Sequence, residues 1–256
     1  MNRRTFTLTS AGAAASLTAA AAAPKKGIFE LRFFRLRNSA DNQAPRVSDF
    51  LKSAILPAAE RNGFGPVGVF RNLIGGAEGP FIMLLTGYPS LAALENLGAD
   101  SEFVKQVGAF NAQPGLNYMR METSLLRGFD SMPTIAVPPT DAKRPGRIFE
   151  IRTYESNNLT TLRRKMKMFD DGEIGIFRRA GMQPVFFGET IVGRNMPNLT
   201  YMLGYDDLAH RDKTWRAFGS DPEWQKMRAL PGLSDAEIVS NITNFLVSPL
   251  PFSPIR

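Results

Sequence analysis

The feature that most restricts how this chain of 256 residues can fold is that it repeats itself. Ile28-Phe29-Glu30-Leu31-Arg32 returns 120 residues later as Ile148-Phe149-Glu150-Ile151-Arg152. Gly63-Phe64-Gly65-Pro66-Val67 returns after 118 residues as Gly181-Met182-Gln183-Pro184-Val185. Gly87-Tyr88, followed by Leu91-Ala92, returns after 117 as Gly204-Tyr205, followed by Leu208-Ala209. Asp100-Ser101-Glu102-Phe103-Val104-Lys105 returns after 121 as Asp221-Pro222-Glu223-Trp224-Gln225-Lys226. The last step adds four residues, about one helical turn, and the insertion contains Trp215. Matches in one order at near-constant spacing mean two copies of one unit. The units are expected over residues 27–130 and 147–256, with a linker at 131–146 where Pro133, Pro138, Pro139 and Pro145 interrupt regular structure.

Each half reads as the same string of elements. Residues 28–36 alternate as a strand does. Helices are expected over 49–62, kinked at Pro57, and over 159–180, weakened at Gly172 and Gly175. Gly63 and Gly181 stand where helices end. Strands follow at 66–72 and 81–88, and again at 184–193 and 199–205, joined by Gly75-Gly76 and Asn195-Met196-Pro197-Asn198. A second helical region comes next, its later part opened by Ser220-Asp221-Pro222-Glu223, read as a capping box. A last strand is expected at 117–127 and at 236–247. The order β-α-β-β-α-β is that of a ferredoxin-like unit, an α+β fold. One such unit leaves a sheet face uncovered. Two packed sheet to sheet would bury it as an α+β barrel of the dimeric type, closed within one chain. A further homodimer is compatible with this.

The first strand of each unit carries the sharpest chemical pattern. Phe149, Ile151 and Thr153 point one way; Ile148, Glu150, Arg152 and Tyr154 point the other. Phe29, Leu31 and Phe33 repeat the first set, and Ile28, Glu30, Arg32 and Phe34 the second. The apolar set is expected to face the helices and the Glu-x-Arg set the barrel interior. Charges there need partners. They are either structural Glu–Arg pairs or the lining of a polar pocket for a small anionic or oxygen-rich ligand, to which the planar donor fork of arginine is suited. Glu30, Arg32, Glu150, Arg152, Tyr154 and Tyr205 are the candidate ligand-binding residues, with Tyr201 a further source of phenol groups. Trp215 and Trp224 read as core anchors.

The other polar motifs have plainer explanations. His210 is the single histidine and sits among charged residues at a helix start, a surface position. Asp170-Asp171 and Asp206-Asp207 are acids of the kind that helix N-termini favour. Arg163-Arg164-Lys165-Met166-Lys167 reads as a solvated helix face. With no cysteine there is no disulfide, thiolate metal site or lipid-carrying thiol, and one histidine cannot build a multi-histidine metal centre within a chain. No phosphate-binding loop, nucleophile elbow or His-Glu-x-x-His is present. Neither a cofactor nor a metal is expected.

The first residues read as an address. Arg3-Arg4, with Phe6 close behind, precedes a weakly apolar, Ala-rich stretch from Leu8 to Ala23 that is too short and too polar to span a membrane. This is the pattern of a twin-arginine secretory signal, cleaved after Ala22, leaving a periplasmic or secreted protein with no integral membrane segment. The net charge of +7 falls to +5 with those two arginines, too small an excess to suggest a nucleic-acid partner.

Ile148-Phe149-Glu150-Ile151-Arg152-Thr153-Tyr154, Phe187-Gly188, Trp215-x-x-Phe218, Asp221-Pro222-Glu223-Trp224 and the tail Pro251-Phe252-Ser253-Pro254-Ile255-Arg256 together resemble the NIPSNAP family. Ala54-Ile55-Leu56-Pro57-Ala58 and Gly65-Pro66-Val67-Gly68-Val69-Phe70 resemble the N-terminal unit of bacterial two-unit members. The resemblance spans nearly everything after Pro24. It implies the dimeric α+β barrel superfamily, which also contains haem enzymes, small monooxygenases and isomerases; the family itself has no agreed catalytic residues. The first half has Phe103 and a deletion where the second has its tryptophan pair, so a site built on those rings would exist once. Two functions remain open. One is an exported barrel that binds a small ligand or a protein partner. The other is a cofactor-independent, monooxygenase- or isomerase-like enzyme using a polar Arg/Tyr pocket in the barrel interior, with Arg152 and Tyr154 polarising the substrate.

Overall fold

The structure, a computed structural model, describes residues 25–39, 41–76, 78–140 and 146–256. The expected export signal and residues 141–145 of the expected linker lie outside the described residues. The first half contains β1 (Ile28–Arg35), α1 (Gln43–Phe50), α2 (Leu56–Asn62), β2 (Val67–Ile74), β3 (Phe81–Tyr88), α3 (Leu91–Ala99), α4 (Ser101–Asn111) and β4 (Arg120–Gly128). The second contains β5 (Ile148–Glu155), α5 (Leu159–Met168), α6 (Ile174–Arg179), β6 (Gln183–Val192), β7 (Asn198–Tyr205), α7 (Leu208–Ser220), α8 (Pro222–Arg228), α9 (Asp235–Ile238) and β8 (Asn241–Pro249).

The strands are antiparallel and close into one barrel in the order β1-β3-β2-β8-β5-β7-β6-β4, with β4 returning to β1. Each half contributes four neighbouring strands in the same internal order, and the halves meet edge to edge at β2–β8 and β4–β6. Closure pairs every sheet edge within the chain. Helices cover the outside. Among the described residues no helix is long and apolar enough to cross a membrane.

An eight-stranded barrel is just wide enough for side chains to fill. Phe29, Leu31, Phe70, Phe81, Met83, Leu85, Leu126, Phe149, Ile151, Val185, Phe186, Met202 and Val247 do so as one buried cluster. Ile135, from the Pro-rich segment, and Ile255, from the C-terminal tail, belong to the same cluster and close one end of the barrel. Gly27 and Ala136 donate their amides to Pro133 and Val185, each at 2.8 Å. The Ser253 hydroxyl accepts the Val69 amide at 2.9 Å and donates to the Ile255 carbonyl at 2.7 Å.

This reverses the expected facing of the first strands. Phe29, Leu31, Phe149 and Ile151 point into the barrel, while the Glu-x-Arg residues point outward beneath the helices. The reason is the supply of partners. The filled interior offers a carboxylate only apolar neighbours at that depth, whereas outside it the helix layer brings the Arg211 and Trp215 donors and the outward strand faces add Asn244, Tyr88 and Tyr205. The outward faces form two further cores. One packs Leu162, Phe169, Phe177, Phe218 and Trp224 on Tyr154, Phe187, Tyr201 and Tyr205; the other packs Val47, Leu51, Ile55, Leu97 and Phe110 on Phe34, Val69, Ile82 and Tyr88.

Element ends differ from expectation in instructive ways. The first helix of the second unit does not break at Gly172. It continues through a π turn at Phe169–Glu173. The first half has the same device at Leu51–Ile55, and its helix begins at Gln43, six residues before Asp49. Pro57 falls in the first turn beyond the π turn, where its missing N–H is least missed. Asp221, not Ser220, caps α8, accepting the amides of Glu223 at 2.9 Å and Trp224 at 3.2 Å. The last strand starts at Asn241 because Ser234 and Glu237 form a capping box that opens α9 instead. The repeat extends to surface contacts: Arg61 pairs with Asp100 at 2.8 Å, as Arg179 does with Asp221 at 2.9 Å.

Candidate functional site

Four of the six candidate residues come together, on the outside of the barrel. Glu150 is completely buried beneath α7. Its carboxylate accepts hydrogen bonds from Arg211 Nη2 at 2.7 Å and Nε at 2.9 Å, Trp215 Nε1 at 2.9 Å, Asn244 Nδ2 at 2.9 Å, Arg152 Nη1 at 3.0 Å and the Tyr205 hydroxyl at 3.3 Å. Burial would raise the Glu150 pKa, but the Arg211 and Asn244 hydrogen bonds and the charges of Arg152 and Arg211 outweigh it and lower it to about 2. Arg152 lies over the Trp215 ring, 4.7 Å from its centroid, and donates to the Tyr154 hydroxyl at 3.3 Å. Tyr201 in turn donates to the Tyr154 hydroxyl at 3.0 Å. Burial, followed by the Glu150 charge, raises the Tyr205 phenol above its ordinary value. A carboxylate with this many donors is saturated, so Glu150 reads as the anchor that ties α7 and β8 to β5. Trp215 is therefore more than the core anchor expected of it, whereas Trp224 is a core residue.

Glu30 and Arg32 occupy the equivalent place in the other half and do not meet the first group. Glu30 accepts from Arg32 Nε at 2.9 Å and the Tyr88 hydroxyl at 3.0 Å. The repeat puts Leu94 where the second half has Arg211. Arg32 faces Thr123 across the strands where Arg152 faces Asn244. The polar Arg/Tyr pocket expected in the barrel interior is thus replaced by two separate networks under the helices.

Lys165 corrects another expectation. It is buried, with 1% of its side chain exposed, because it shares the apolar stripe of Leu162, Met166 and Phe169 at helical spacing. Its ammonium lies 3.3 Å from both Glu173 and Asp235 and between 5.0 and 5.4 Å from the ring centroids of Phe169, Tyr154 and Trp224. Arg163, Arg164 and Lys167 are exposed as expected. Burial raises the Glu173 pKa to about 7, against the opposing charge of Lys165. An acid held above its ordinary 4.5 favours folding while protonated, so its contribution is complete below pH 4.5 and lost as pH rises through about 7. Denaturant titrations across that window should show stability falling by about 3 kcal/mol with rising pH. The slope should flatten in Glu173→Gln. An unchanged slope would assign the effect elsewhere.

A cavity opens at the end of the barrel opposite Ile255. It has a volume of about 250 Å³. Its walls carry Ser124, Thr153, Thr190, Asn198, Thr200 and Thr243 above Leu31, Phe33, Phe81, Ile151 and Phe245. Thr153 and Thr200 share a hydrogen bond at 2.9 Å, and Thr190 donates to Asn198 at 2.6 Å. Arg35, Glu78, Glu122 and Arg194 complete the lining. Glu122 accepts from Arg120 Nε at 2.7 Å, Arg35 Nη2 at 3.0 Å and Arg194 Nη1 at 3.1 Å. Burial raises its pKa, but the hydrogen bonds of Arg35 and Arg120, with the charges of Arg35 and Arg194, lower it to about 2. Gly76 holds a left-handed φ of 87° in the β2–β3 loop, and a Cβ there would stand 2.9 Å from the Phe81 ring. These mouth residues were missed in the sequence, although Thr153 and Phe33 had been placed on the face that proves to be the lumen. The six polar wall residues come from five strands of both halves. His210 stays partly exposed and takes the Asp206 amide on Nδ1 at 3.1 Å. Among the described residues no cluster of three or more acidic or histidine side chains is arranged to hold a metal ion.

Comparison with solved structures places the fold. A candidate monooxygenase from Fusobacterium nucleatum is 8% identical, with a TM-score of 0.58 over 88% of this chain and 93% of that one. A candidate monooxygenase from Lactobacillus acidophilus is 11% identical, with a TM-score of 0.57 over 88% of this chain and 94% of that one. At these identities the likeness is one of fold. An uncharacterized NIPSNAP-like domain protein from Burkholderia xenovorans is 23% identical over 43% of this chain and 90% of its own, with a TM-score of 0.38. No curated protein matches the chain. The NIPSNAP profile matches residues 149–254, from the strand that carries Glu150 to the tail that plugs the barrel. That match makes the second half of this chain, residues 149–254, a NIPSNAP-like domain.

Proposed function

We propose that this protein is an exported small-ligand-binding barrel of the NIPSNAP family, built from two tandem ferredoxin-like units at 27–130 and 147–256, whose ligand sits in the open mouth. One observation carries the reading. In a barrel otherwise filled with apolar side chains, the mouth holds a cavity of about 250 Å³ walled by hydroxyl and amide groups. At ~30 Å³ per water that is room for roughly eight waters or one small organic molecule. Binding pockets combine apolar surface with a few placed polar groups, as this one does. The Glu150 network supports the reading by its saturation, which leaves that carboxylate no capacity to receive a substrate.

Native mass spectrometry of the protein purified from its source is expected to show a bound small molecule. The molecule should be absent from Thr243→Trp, which fills the mouth. An empty wild-type protein, or the same molecule retained by the filled variant, would overturn the reading. Sequencing the mature N-terminus tests export separately: cleavage near Ala22 in a periplasmic or secreted fraction is expected, and an intact Met1 on a cytoplasmic protein would sink it.

A further inference from the structure

The charges at the mouth narrow the class of ligand. Three guanidiniums, from Arg35, Arg120 and Arg194, surround two carboxylates, Glu78 and Glu122. Every one of these five side chains pairs with a member of the opposite set, so the cluster holds itself in place and still carries one positive charge more than it neutralises. Arg120 stands behind the rim, so the charges lining the cavity balance two against two, and what they differ in is exposure. Arg35 is largely covered, with 13% of its side chain exposed, whereas Arg194 is 60% exposed. Of its five N–H groups Arg194 directs one to Glu122 at 3.1 Å, and its Nη2 stands 3.6 Å from Glu78, beyond a good hydrogen bond.

Below the charges the wall changes character. Phe33, Phe81 and Phe245 meet edge to face, with centroids 5.4, 6.0 and 5.5 Å apart. The Arg35 guanidinium stands over two of those rings, at 5.0 and 5.2 Å. Thr153, Thr190, Thr200 and Thr243 line the same cavity, with Thr243 two residues from Phe245 on β8. A molecule matching the layers has an anionic head, a hydroxyl or carbonyl oxygen near it, and an apolar body.

We infer that the mouth binds a small organic monocarboxylate of the hydroxy- or oxo-acid type, its carboxylate held by Arg194 at the rim and its apolar or aromatic body against Phe33, Phe81 and Phe245. The inference rests on the proposed reading of the mouth as a ligand site. Calorimetric titration of the full chain with mandelate and lactate, each against its neutral amide, tests it. Mandelate should bind more tightly than lactate, and both should lose about tenfold in affinity as the amide. Arg194→Gln should weaken the acids about tenfold and leave the amides unchanged, Arg194→Lys should restore most of the loss, and added salt should weaken the acids alone. Amides that bind as well as acids, or acids indifferent to Arg194→Gln, would overturn the carboxylate assignment while leaving the mouth a ligand site. If neither acids nor amides bind, and the protein from its source is also empty, both readings fall.

Discussion

Glu150→Gln is expected to lower folding stability by about 3–5 kcal/mol, the cost of breaking a buried ion pair by removing one partner. The carboxylate is fully buried and receives two arginines, an indole, an amide and a phenol. The variant would take from Arg152, which lies against the Trp215 ring, its carboxylate partner, and leave Arg211 with Asp212 at 3.4 Å. Glu30→Gln is the internal control. Among the described residues its partners are Arg32 and Tyr88, so a smaller loss of about 1–3 kcal/mol is expected. Urea unfolding of both variants measures the difference; equal losses would show that the extra donors of the second half add nothing. The pH dependence gives a second check. A carboxyl lowered to about 2 contributes fully above its ordinary 4.5, and that contribution is lost as pH falls toward 2. Acid unfolding of wild type should therefore be steeper than that of the Gln variant.

The second large effect belongs to the tail. Ile255 is completely buried with side chains of the barrel interior, near the start of β2, where its Cδ1 lies 3.2 Å from the position of a Cβ on Gly68. Ile255→Ala should cost about 2–5 kcal/mol, because the cavity it leaves is walled by closed strands that cannot collapse. Removing the last two residues should cost at least as much. Ser253→Ala should cost less, about 1 kcal/mol, through the lost bond to the Val69 amide. The loss for Ile255→Ala should appear as a lower denaturant midpoint with an unchanged slope. A tail variant as stable as wild type would mean that the plug is ornamental and the barrel is held by its strands alone.

Much of the fold is legible before any coordinates. The repeat of Ile28–Arg32 at Ile148–Arg152 predicts two copies of one strand, and the barrel contains both in equivalent positions, each between the third and last strands of its half. Strand ends at Phe81 and Tyr88 are as expected because a short, mostly apolar run there is bounded by Pro80 and Pro89. Lys165 was legible but misread: a run of basic residues suggested a wet face, while the spacing to Leu162 and Phe169 already put it on the dry one. The π turns were not legible. A π turn comes from how a helix is seated on its sheet, and nothing in Leu51–Ile55 or Phe169–Glu173 announces it locally.

Sequence by itself determines the repeat, the alternation of the first strands, and that Glu150 and Arg152 share a face. These follow from local periodicity and from the two-residue repeat of an extended chain. Which face turns inward is decided only in the tertiary structure. An alternating strand with phenylalanine on one side and Glu-x-Arg on the other can satisfy either arrangement. The choice falls to Arg211, Trp215 and Asn244, between 61 and 94 residues away, which can reach the carboxylate only from outside the barrel. The mouth is a tertiary creation too. Arg35, Glu122 and Arg194 have no common motif and become neighbours only when strands of both halves close the same ring.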